Sequence, residues 1–305
     1  MKVLVLGANG QVGSELGTQL ERVLSSAGQN YSVTLASRRN LDVTDLPALI
    51  DFLKLNTPDW IINATAYTAV DTAEKEIFQA HSVNEHAVRI MAEHCAASNS
   101  KLVHISTDYV FDGGGELPFS EASAVAPLGV YGSSKLSGEE AIRAVLAQHL
   151  ILRTAWVFGA SGGNFVKTML RLAETRRELG VVGDQYGAPT SARSIAKAIS
   201  CMVLQMCGAQ STDERWGTYH FTGKPFVSWA EFAREIFQQA AQQGMIGDTP
   251  AVNTISTGQY STQAKRPQNS RLDCSKITKV FGIEPDNWSA SLGEMLDEIS
   301  RDGLK

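Results

Sequence analysis

The clearest pattern of apolar and polar positions lies at the start of the chain. Residues 3–6 form a continuous apolar run that ends at Gly7, which is typical of a strand buried on both faces of a parallel sheet. Apolar residues then recur at the spacing of one helix face, at Val12, Leu16, Leu20 and Val23. The pattern predicts a strand that turns sharply into an amphipathic helix.

Three glycines, Gly7, Gly10 and Gly13, fall in the predicted turn. Gly7 would permit the tight turn, Gly10 would let a pyrophosphate approach the bare backbone, and Gly13 would let the helix lie close to the sheet. The first amides of the helix would then face the anion. We therefore predict a dinucleotide site. The glycine spacing differs from the commonest dinucleotide fingerprint, so an ordinary turn in another α/β fold is the alternative.

Further apolar runs alternate with helical patterns along the first half of the chain. The predicted strands cover residues 32–37, 60–67 and 101–111. Strands that alternate with helices predict an α/β fold, here a Rossmann-type, doubly wound parallel sheet with a smaller, mostly helical substrate lobe. We assign residues 1–158 to the cofactor domain and 159–305 to the substrate domain. Residues 190–222 are expected to return to the main sheet.

The composition is that of a globular protein without a strongly charged surface. Of the 305 residues, 43% are hydrophobic, which is enough for one large domain or two modest ones. The net charge of -5 argues against a nucleic-acid partner. We find no secretory leader and no apolar run long enough for a membrane, so we expect a cytoplasmic protein. The four cysteines lack C-x-x-C spacing and predict neither disulfides nor a zinc site.

Tyr131 and Lys135 stand four residues apart at the start of a predicted helix, so they share one face of it. A tyrosine with a pKa of ~10 exchanges protons poorly at neutral pH. A nearby ammonium would lower that pKa by stabilising the phenolate. Thr107, at a predicted strand end, offers a hydroxyl that would polarise a carbonyl. A tyrosine–lysine pair alone is common by chance, but beside the glycine turn these residues predict a catalytic set.

The second predicted strand ends in Ser37, Arg38 and Arg39, where a dinucleotide fold places the adenine ribose. An acidic side chain there would bind the ribose 2′-hydroxyl. Arginine binds a 2′-phosphate instead, through charge-assisted hydrogen bonds. The sequence therefore favours NADPH, with NADH as the alternative. A solvated basic pair is the structural alternative.

The motifs together resemble a known family. The glycine turn, Ser106-Thr107-Asp108 and the Tyr131–Lys135 pair resemble the extended short-chain dehydrogenase/reductases. Four longer and more specific motifs lie at residues 106–111, 153–158, 184–190 and 266–270. They are similar to those of the dTDP-4-dehydrorhamnose reductase family, and the resemblance covers essentially the whole chain.

The resemblance implies the last step of dTDP-L-rhamnose synthesis, which serves cell-surface polysaccharides. NAD(P)H would deliver hydride to C4 of dTDP-4-dehydro-L-rhamnose, and Tyr131 would protonate the new alkoxide. Lys135 would lower the pKa of Tyr131 and hold the cofactor ribose. Thr107 would orient the ketone.

The same matching implies the residues that contact each ligand. The cofactor would contact Gly10, Gln11 and Val12, then Ala66, Tyr67 and Thr68, with Asp42 and Val43 near the adenine. The dTDP-sugar would contact Val70, Thr107, Asp108, Tyr109 and Trp156. Arg266 and Asn269 lie in a loop over residues 265–271 whose three cations would compensate a nucleoside diphosphate, with a solvated loop as the alternative. Trp156 would lay its ring on the apolar face of the sugar, with a core tryptophan as the alternative.

Two other functions share the expected fold. One is a sugar-nucleotide epimerase or dehydratase, although a dehydratase commonly carries an Asp-Glu pair where Asp108 and Tyr109 follow the threonine here. The other is a cofactor-binding regulatory subunit without turnover, which the intact set of Thr107, Tyr131 and Lys135 disfavours.

The resemblance also raises the question of a metal. Some relatives dimerise around Mg²⁺ held by acidic side chains, and Glu15 and Glu298 are the acids on offer here. The helix after residue 190 offers Arg193, which argues against a complete metal site. We therefore predict no bound metal and leave a homodimer open.

Overall fold

The structure is a computed structural model that describes residues 1–28 and 30–302. In the first half of the chain, strands alternate with helices as the apolar pattern predicts. The strands are β1 (Lys2–Leu6), β2 (Ser32–Ala36), β3 (Trp60–Asn63), β4 (Lys101–Thr107) and β5 (His149–Thr154). The helices are α1 (Gln11–Ser26), α2 (Leu46–Asn56), α3 (Val70–Ala73), α4 (Ile77–His81), α5 (Ala87–Ser98) and α6 (Val130–Val145).

The second half combines short strands with further helices. The strands are β6 (Val157–Phe158), β7 (Glu178–Val182), β8 (Tyr186–Gly187), β9 (Thr190–Ser191), β10 (Gly217–His220), β11 (Val227–Ser228) and β12 (Ala251–Ile255). The helices are α7 (Phe165–Ala173), α8 (Ala192–Gln205), α9 (Trp229–Gln242), α10 (Ser275–Phe281) and α11 (Trp288–Asp302).

Six strands form one parallel sheet in the order β2-β1-β3-β4-β5-β10. The chain rejoins this sheet late, because β10 pairs in parallel with β5. Helices cover both faces, so the predicted Rossmann-type fold is confirmed. The strand order reverses between β1 and β3. In such sheets ligands bind in the crevice beyond the carboxyl ends of the two strands at this point.

The two faces of the sheet are built from alternate residues of each strand, because successive side chains point to opposite sides. In β1, Val3 and Val5 pack with α1, α8 and α10, whereas Leu4 and Leu6 pack with α2, α5 and α6. Burial on both faces explains the uninterrupted apolar run. Because α8 and α10 lie beyond residue 158 yet pack on the main sheet, the predicted domain limits stay a prediction.

A third apolar core belongs to the smaller lobe. It is formed by α7, α9 and α11 with aromatic contacts such as the edge-to-face pair of Phe232 and Trp288, whose ring centroids are 5.3 Å apart. Three two-stranded pairs, β6-β9, β7-β12 and β8-β11, accompany these helices. None of the described helices has both the length and the apolar composition needed to cross a bilayer.

Two predicted strands are shorter than expected, and both end at the crevice. The strand over 60–67 ends at Asn63, and the strand over 101–111 ends at Thr107, where a 3₁₀ turn follows. Apolar residues after Thr107 enter a separate small core instead of the sheet. A π-helical turn at Ser82–His86 directly precedes α5.

Candidate active site

A cavity of about 730 Å³ opens at the carboxyl ends of β1 and β3. Gly7, directly after β1, has a φ of 85°, which L side chains rarely adopt. A Cβ at Gly7 would lie 2.7 Å from the carbonyl of Ala64. The sharp turn predicted at Gly7 is therefore present, and only glycine lets the two strand ends approach so closely.

The start of α1 borders this cavity. A Cβ at Gly13 would lie 2.0 Å from the carbonyl oxygen of Gly7, so the helix lies as close to the strand end as a glycine allows. Within the described residues no side chain caps the helix at Gly10. The first amides of a helix lack intrahelical partners and carry partial positive charge. An uncapped helix start beside a cavity suits a phosphate.

Most residues predicted to contact the cofactor border this cavity. They are Gly7, Gly10, Ser37, Arg38, Asp42, Val43, Ala66 and Tyr67. Arg38 lies at the rim with its side chain 81% exposed, and its guanidinium is 3.5 Å from the carboxylate of Asp42. Hydrogen bonds from Thr44 lower the pKa of Asp42, and Arg38 adds to this effect. Arg39 is not among the described residues that line the cavity.

A second cavity of about 430 Å³ adjoins the first and shares Gly10 and Ala66 with it. The predicted residues that line it include Gln11, Val12, Thr68, Val70, Thr107, Asp108, Tyr109, Tyr131, Lys135 and Trp156. The fold therefore brings the glycine turn and the threonine–tyrosine–lysine set to one cleft, although they are far apart in the sequence.

Tyr131 lies in the first turn of α6, and this turn is held tightly against the segment after β4. A Cβ at Gly132 would lie 2.1 Å from the carbonyl oxygen of Tyr109. The carboxylate of Glu74 accepts a hydrogen bond of 2.8 Å from the backbone N–H of Val130, which favours the helix start electrostatically. The sequence analysis singled out neither Gly132 nor Glu74. Both fix where the phenol lies.

Among the described groups Lys135 does not act on the pKa of Tyr131 in this structure, so the expectation that it lowers that pKa stays a prediction. Burial raises the pKa of Tyr131, and only the hydrogen bond with Thr107 opposes that shift among the described groups. Nζ of Lys135 forms its hydrogen bonds with residues of the sheet. It lies 3.1 Å from Nε2 of His104 and donates to the carbonyl oxygen of Ile105 at 2.7 Å. Burial also lowers the pKa of Lys135, to about 8.

Asp108 is a buried carboxylate at the wall of the second cavity, only 4% exposed. Burial raises its pKa to about 6. Its Oδ1 accepts a hydrogen bond of 3.1 Å from the hydroxyl of Thr107, and Ser270 also acts on the carboxyl by opposing the rise of its pKa. Oδ2 has no hydrogen bond within the described part of the chain. An unpaired buried acceptor suits a ligand hydroxyl.

Two aromatic residues on the cleft wall are held by their neighbours. The ring of Tyr109 meets that of Tyr131 edge to face, with centroids 5.4 Å apart. Trp156 has a φ of 49° and stacks on Trp229 with a centroid distance of 3.6 Å. Trp156 therefore belongs to the core of the smaller lobe and also borders the cavity, so both alternatives for this residue hold in part.

The loop that carries Arg266 and Asn269 lies behind the cleft wall. Arg266 donates to Asp71 at 2.5 Å and to the hydroxyl of Tyr109 at 3.0 Å. Asn269 is 2% exposed, and its amide donates to the carbonyl oxygens of Gly114 and Leu117. Neither residue is among the described residues lining the two cavities. In this structure Arg266 meets the cleft wall at Tyr109, and the amide of Asn269 holds loop carbonyls, so their contacts with the substrate stay a prediction.

Asn84 is a further site residue that the sequence analysis missed. It is fully buried, and its side chain accepts from the backbone N–H of Tyr67 at 2.9 Å and donates to the hydroxyl of Ser134 at 3.0 Å. It lies in the π-helical turn and ties the cavity wall at Tyr67 to α6. A buried amide within a helical pattern was the available signal.

Arg193 occupies the position that made a metal site doubtful. Its guanidinium is 3.2 Å from the carboxylate of Glu15 and 2.5 Å from that of Glu298. The arginine thus supplies positive charge between these acids. The prediction that the protein binds no metal stays a prediction.

Comparison with known proteins shows which family this chain is similar to. The family model described as RmlD substrate binding domain matches residues 1–301. The dTDP-4-dehydrorhamnose reductase of Aggregatibacter actinomycetemcomitans is 43% identical over 95% of this chain and 97% of its own length. That of Escherichia coli strain K12 is 37% identical over 98% of each chain.

Solved structures of proteins with the same name are also similar to this chain. A dTDP-4-dehydrorhamnose reductase from Clostridium acetobutylicum superposes with a TM-score of 0.87 at 36% identity, covering 98% of this chain and all of the other. The one from Bacillus anthracis, solved in complex with NADP, gives a TM-score of 0.82 at 32% identity, covering 97% and 99%. The chain therefore belongs to the dTDP-4-dehydrorhamnose reductase family.

Proposed function

We propose that this chain reduces the C4 ketone of dTDP-4-dehydro-L-rhamnose to dTDP-L-rhamnose with NADPH, and that Tyr131 donates the proton. One observation carries the proposal: Thr107, Tyr131 and Lys135 line a cavity that also contains the start of α1. A dinucleotide whose pyrophosphate lies at the helix start would then bring its hydride donor to a carbonyl that Tyr131 protonates.

The residues at the switch point fit a dinucleotide. A Cβ at Gly7 or Gly13 would collide with backbone, and the uncapped start of α1 offers amides to a pyrophosphate. Asp42 and Val43 would lie beside the adenine. Arg38 at the rim would bind a 2′-phosphate, since its partner among the described residues is the half-exposed Asp42. Arg39 is left out of this cofactor site. NADH, without the 2′-phosphate, is the weaker candidate.

The proposed chemistry divides between the cofactor and three side chains. When bound, the reduced nicotinamide supplies a hydride to C4. Thr107 and Tyr131 both line the second cavity, and in this proposal their hydroxyls bind one ketone oxygen. Tyr131 gives its proton to that oxygen as negative charge develops, which completes the alcohol. Thr107 holds the oxygen in place, and Lys135 binds the nicotinamide ribose and stabilises the phenolate that remains.

The dTDP-sugar is proposed to enter from the side of Asp108 and Trp156. The unpaired Oδ2 of Asp108 would accept a sugar hydroxyl, and the ring of Trp156 would pack on an apolar sugar face. Arg266 would act at the nucleotide by holding Tyr109. In this proposal residues 1–158 bind the cofactor and most of 159–305 shapes the sugar-nucleotide site.

The test is a reductase assay with the purified protein, NADPH and freshly generated dTDP-4-dehydro-L-rhamnose. We expect loss of the reduced-nicotinamide absorbance in a one-to-one ratio with dTDP-L-rhamnose formed. An epimerase would convert the sugar without net consumption of NADPH. A regulatory subunit would bind NADPH without turnover, and either result would overturn the proposal.

The proton donor is tested separately with Tyr131→Phe. Loss of a general acid lowers kcat by roughly 10²–10⁴-fold. Tyr31→Phe is the matched control, since the Tyr31 hydroxyl bonds Ser25 at the opposite end of the sheet. The control should keep wild-type kcat. Activity of Tyr131→Phe within a few-fold of wild type would contradict the assigned role.

A further inference from the structure

A buried histidine behind the cleft has no role in the proposed mechanism. His104 lies in β4 and is fully buried. Its Nε2 is 3.1 Å from Nζ of Lys135, and its Nδ1 is 3.0 Å from Nδ2 of Asn63. Behind the cleft these residues form a chain of contacts that ends at the proposed ribose-binding lysine.

The orientation of Asn63 is fixed from the other end of this chain. The backbone N–H of Thr65 donates to Oδ1 of Asn63 at 3.0 Å, and the hydroxyl of Thr65 lies 2.6 Å from the same oxygen. A backbone N–H can only donate. Oδ1 must therefore face Thr65, and the NH₂ group of Asn63 must face His104.

This orientation decides the tautomer of His104. Because the NH₂ of Asn63 donates to Nδ1, that nitrogen must be an acceptor. Burial lowers the pKa of His104 well below its ordinary value, so the ring is neutral. A neutral imidazole has one N–H, which must be on Nε2. The N–H therefore points at Nζ of Lys135.

A donor aimed at Nζ is satisfied only if Nζ has a lone pair. An ammonium has three donors and no acceptor, whereas a neutral amine can accept from Nε2–H and donate to the carbonyl oxygen of Ile105. We propose that His104 is a positioning residue that holds Lys135 as a neutral amine against the sheet. When Lys135 turns away from the imidazole of His104 to bind the cofactor, its amine takes up a proton from solvent. The inference rests on the proposed function, since it concerns the same lysine.

The charges around Lys135 support a neutral amine. His104 faces it from β4, and Glu139 is the acidic group that acts on it from α6. The carboxylate of Glu139 is already bound by Arg153 at 2.6 Å and by Arg143 at 3.0 Å. Ser106 also donates to it, at 2.6 Å. A compensated carboxylate offers little attraction to an ammonium.

The first test reads the tautomer in the protein alone. Nuclear magnetic resonance of protein labelled with ¹⁵N-histidine distinguishes a protonated from an unprotonated ring nitrogen, and His104→Gln identifies the signal. We expect His104 to carry its proton on Nε2 and none on Nδ1. A proton on Nδ1, or on both nitrogens, would overturn the proposal. This measurement needs no turnover. The tautomer can therefore contradict the proposal while the reductase assay succeeds, and the reductase assay can fail while the tautomer agrees with the proposal.

The second test measures proton uptake when NADPH binds, by calorimetry in buffers of different ionisation enthalpy. At pH 7.5 a 2′-phosphate is already almost fully ionised, since its pKa is near ~6. Burial alone would leave Lys135 mostly charged at this pH, because it lowers the pKa only to about 8, so uptake of a proton reports the neutral amine held by His104. We expect close to one proton for wild type and less than half of that for His104→Leu. If His104→Leu melts within a few degrees of wild type and keeps the full uptake, the positioning role is refuted. If His104→Leu fails to fold, the tautomer of His104 measured in the wild-type protein decides whether the proposal holds.

Discussion

Gly13→Ala tests whether the close approach of α1 to the end of β1 makes the cofactor site. The added Cβ would lie 2.0 Å from the carbonyl oxygen of Gly7 and 2.7 Å from its carbonyl carbon. These are backbone atoms in a turn, so they cannot rotate away and α1 must move. Gly17, one turn later, is the matched control: its added Cβ would meet only the end of the half-exposed Leu35 side chain, at 3.0 Å.

The two substitutions differ in expected cost. Forced overpacking costs about 1–3 kcal/mol or more, and a backbone collision of this size belongs at the upper end. A loss of about 3 kcal/mol lowers Tm by about 5 °C in a chain of 305 residues, because the entropy of unfolding is ~2.1 cal/mol/K per residue. Gly17→Ala gains up to ~1 kcal/mol of helix propensity and must displace one side chain. Its Tm should stay within about 2 °C of wild type.

The assay is thermal unfolding of wild type, Gly13→Ala and Gly17→Ala, each with and without NADPH. Saturation at about 100 Kd stabilises a protein by ~2.7 kcal/mol, so wild type and Gly17→Ala should show the same increase in Tm. Gly13→Ala should show little increase, because the displaced helix start no longer meets the phosphates. If Gly13→Ala has the wild-type Tm and an equal response to NADPH, the reasoning about this turn is refuted.

Two further predictions concern the cleft. Arg38→Ala should raise the KM for NADPH about tenfold, or ~1.4 kcal/mol, because a charge-assisted hydrogen bond is weakened at an exposed site. Arg39→Ala is the control, and initial rates should show that it leaves the KM for NADPH unchanged. Arg38→Ala should leave the KM for NADH unchanged. Equal effects of both variants on the KM for NADPH would contradict the assignment. The pKa of Asp108, raised by burial to about 6 from an ordinary value of 3.8, provides stability that is complete below pH ~4 and lost as pH rises through about 6. Relative to wild type, Asp108→Asn should therefore gain Tm between pH 4.5 and pH 7.5, and a constant difference would contradict this.

The overall fold could be predicted because its signals are local. The apolar run before Gly7 reports burial on both faces, and the spacing of Leu16 and Leu20 reports one helix face. Element ends were less predictable. The run after Thr107 looks like more strand, yet its apolar residues turn into a small separate core. Periodicity records that a residue is buried but does not record which core it enters.

The candidate site was predictable in composition and less so in contacts. Thr107, Tyr131 and Lys135 do line one cavity. Asn269 is not among the described residues that line it, because its amide donates to loop carbonyls. Arg38 lies at the rim of the first cavity, whereas Arg39 is not among the described residues lining that cavity. Motif matching assigns residues to a neighbourhood, whereas hydrogen-bond partners depend on side-chain directions.

By itself the sequence determined the parallel sheet, the glycine turn that starts α1, and the shared helix face of Tyr131 and Lys135, since each depends on residues within a few positions of one another. Only the tertiary structure decided that Nζ of Lys135 meets His104 and that Glu74 caps the helix of the phenol. These contacts join segments that are distant in the chain. Their partners follow from strand order, from how closely a helix can approach, and from burial that leaves each polar atom few partners.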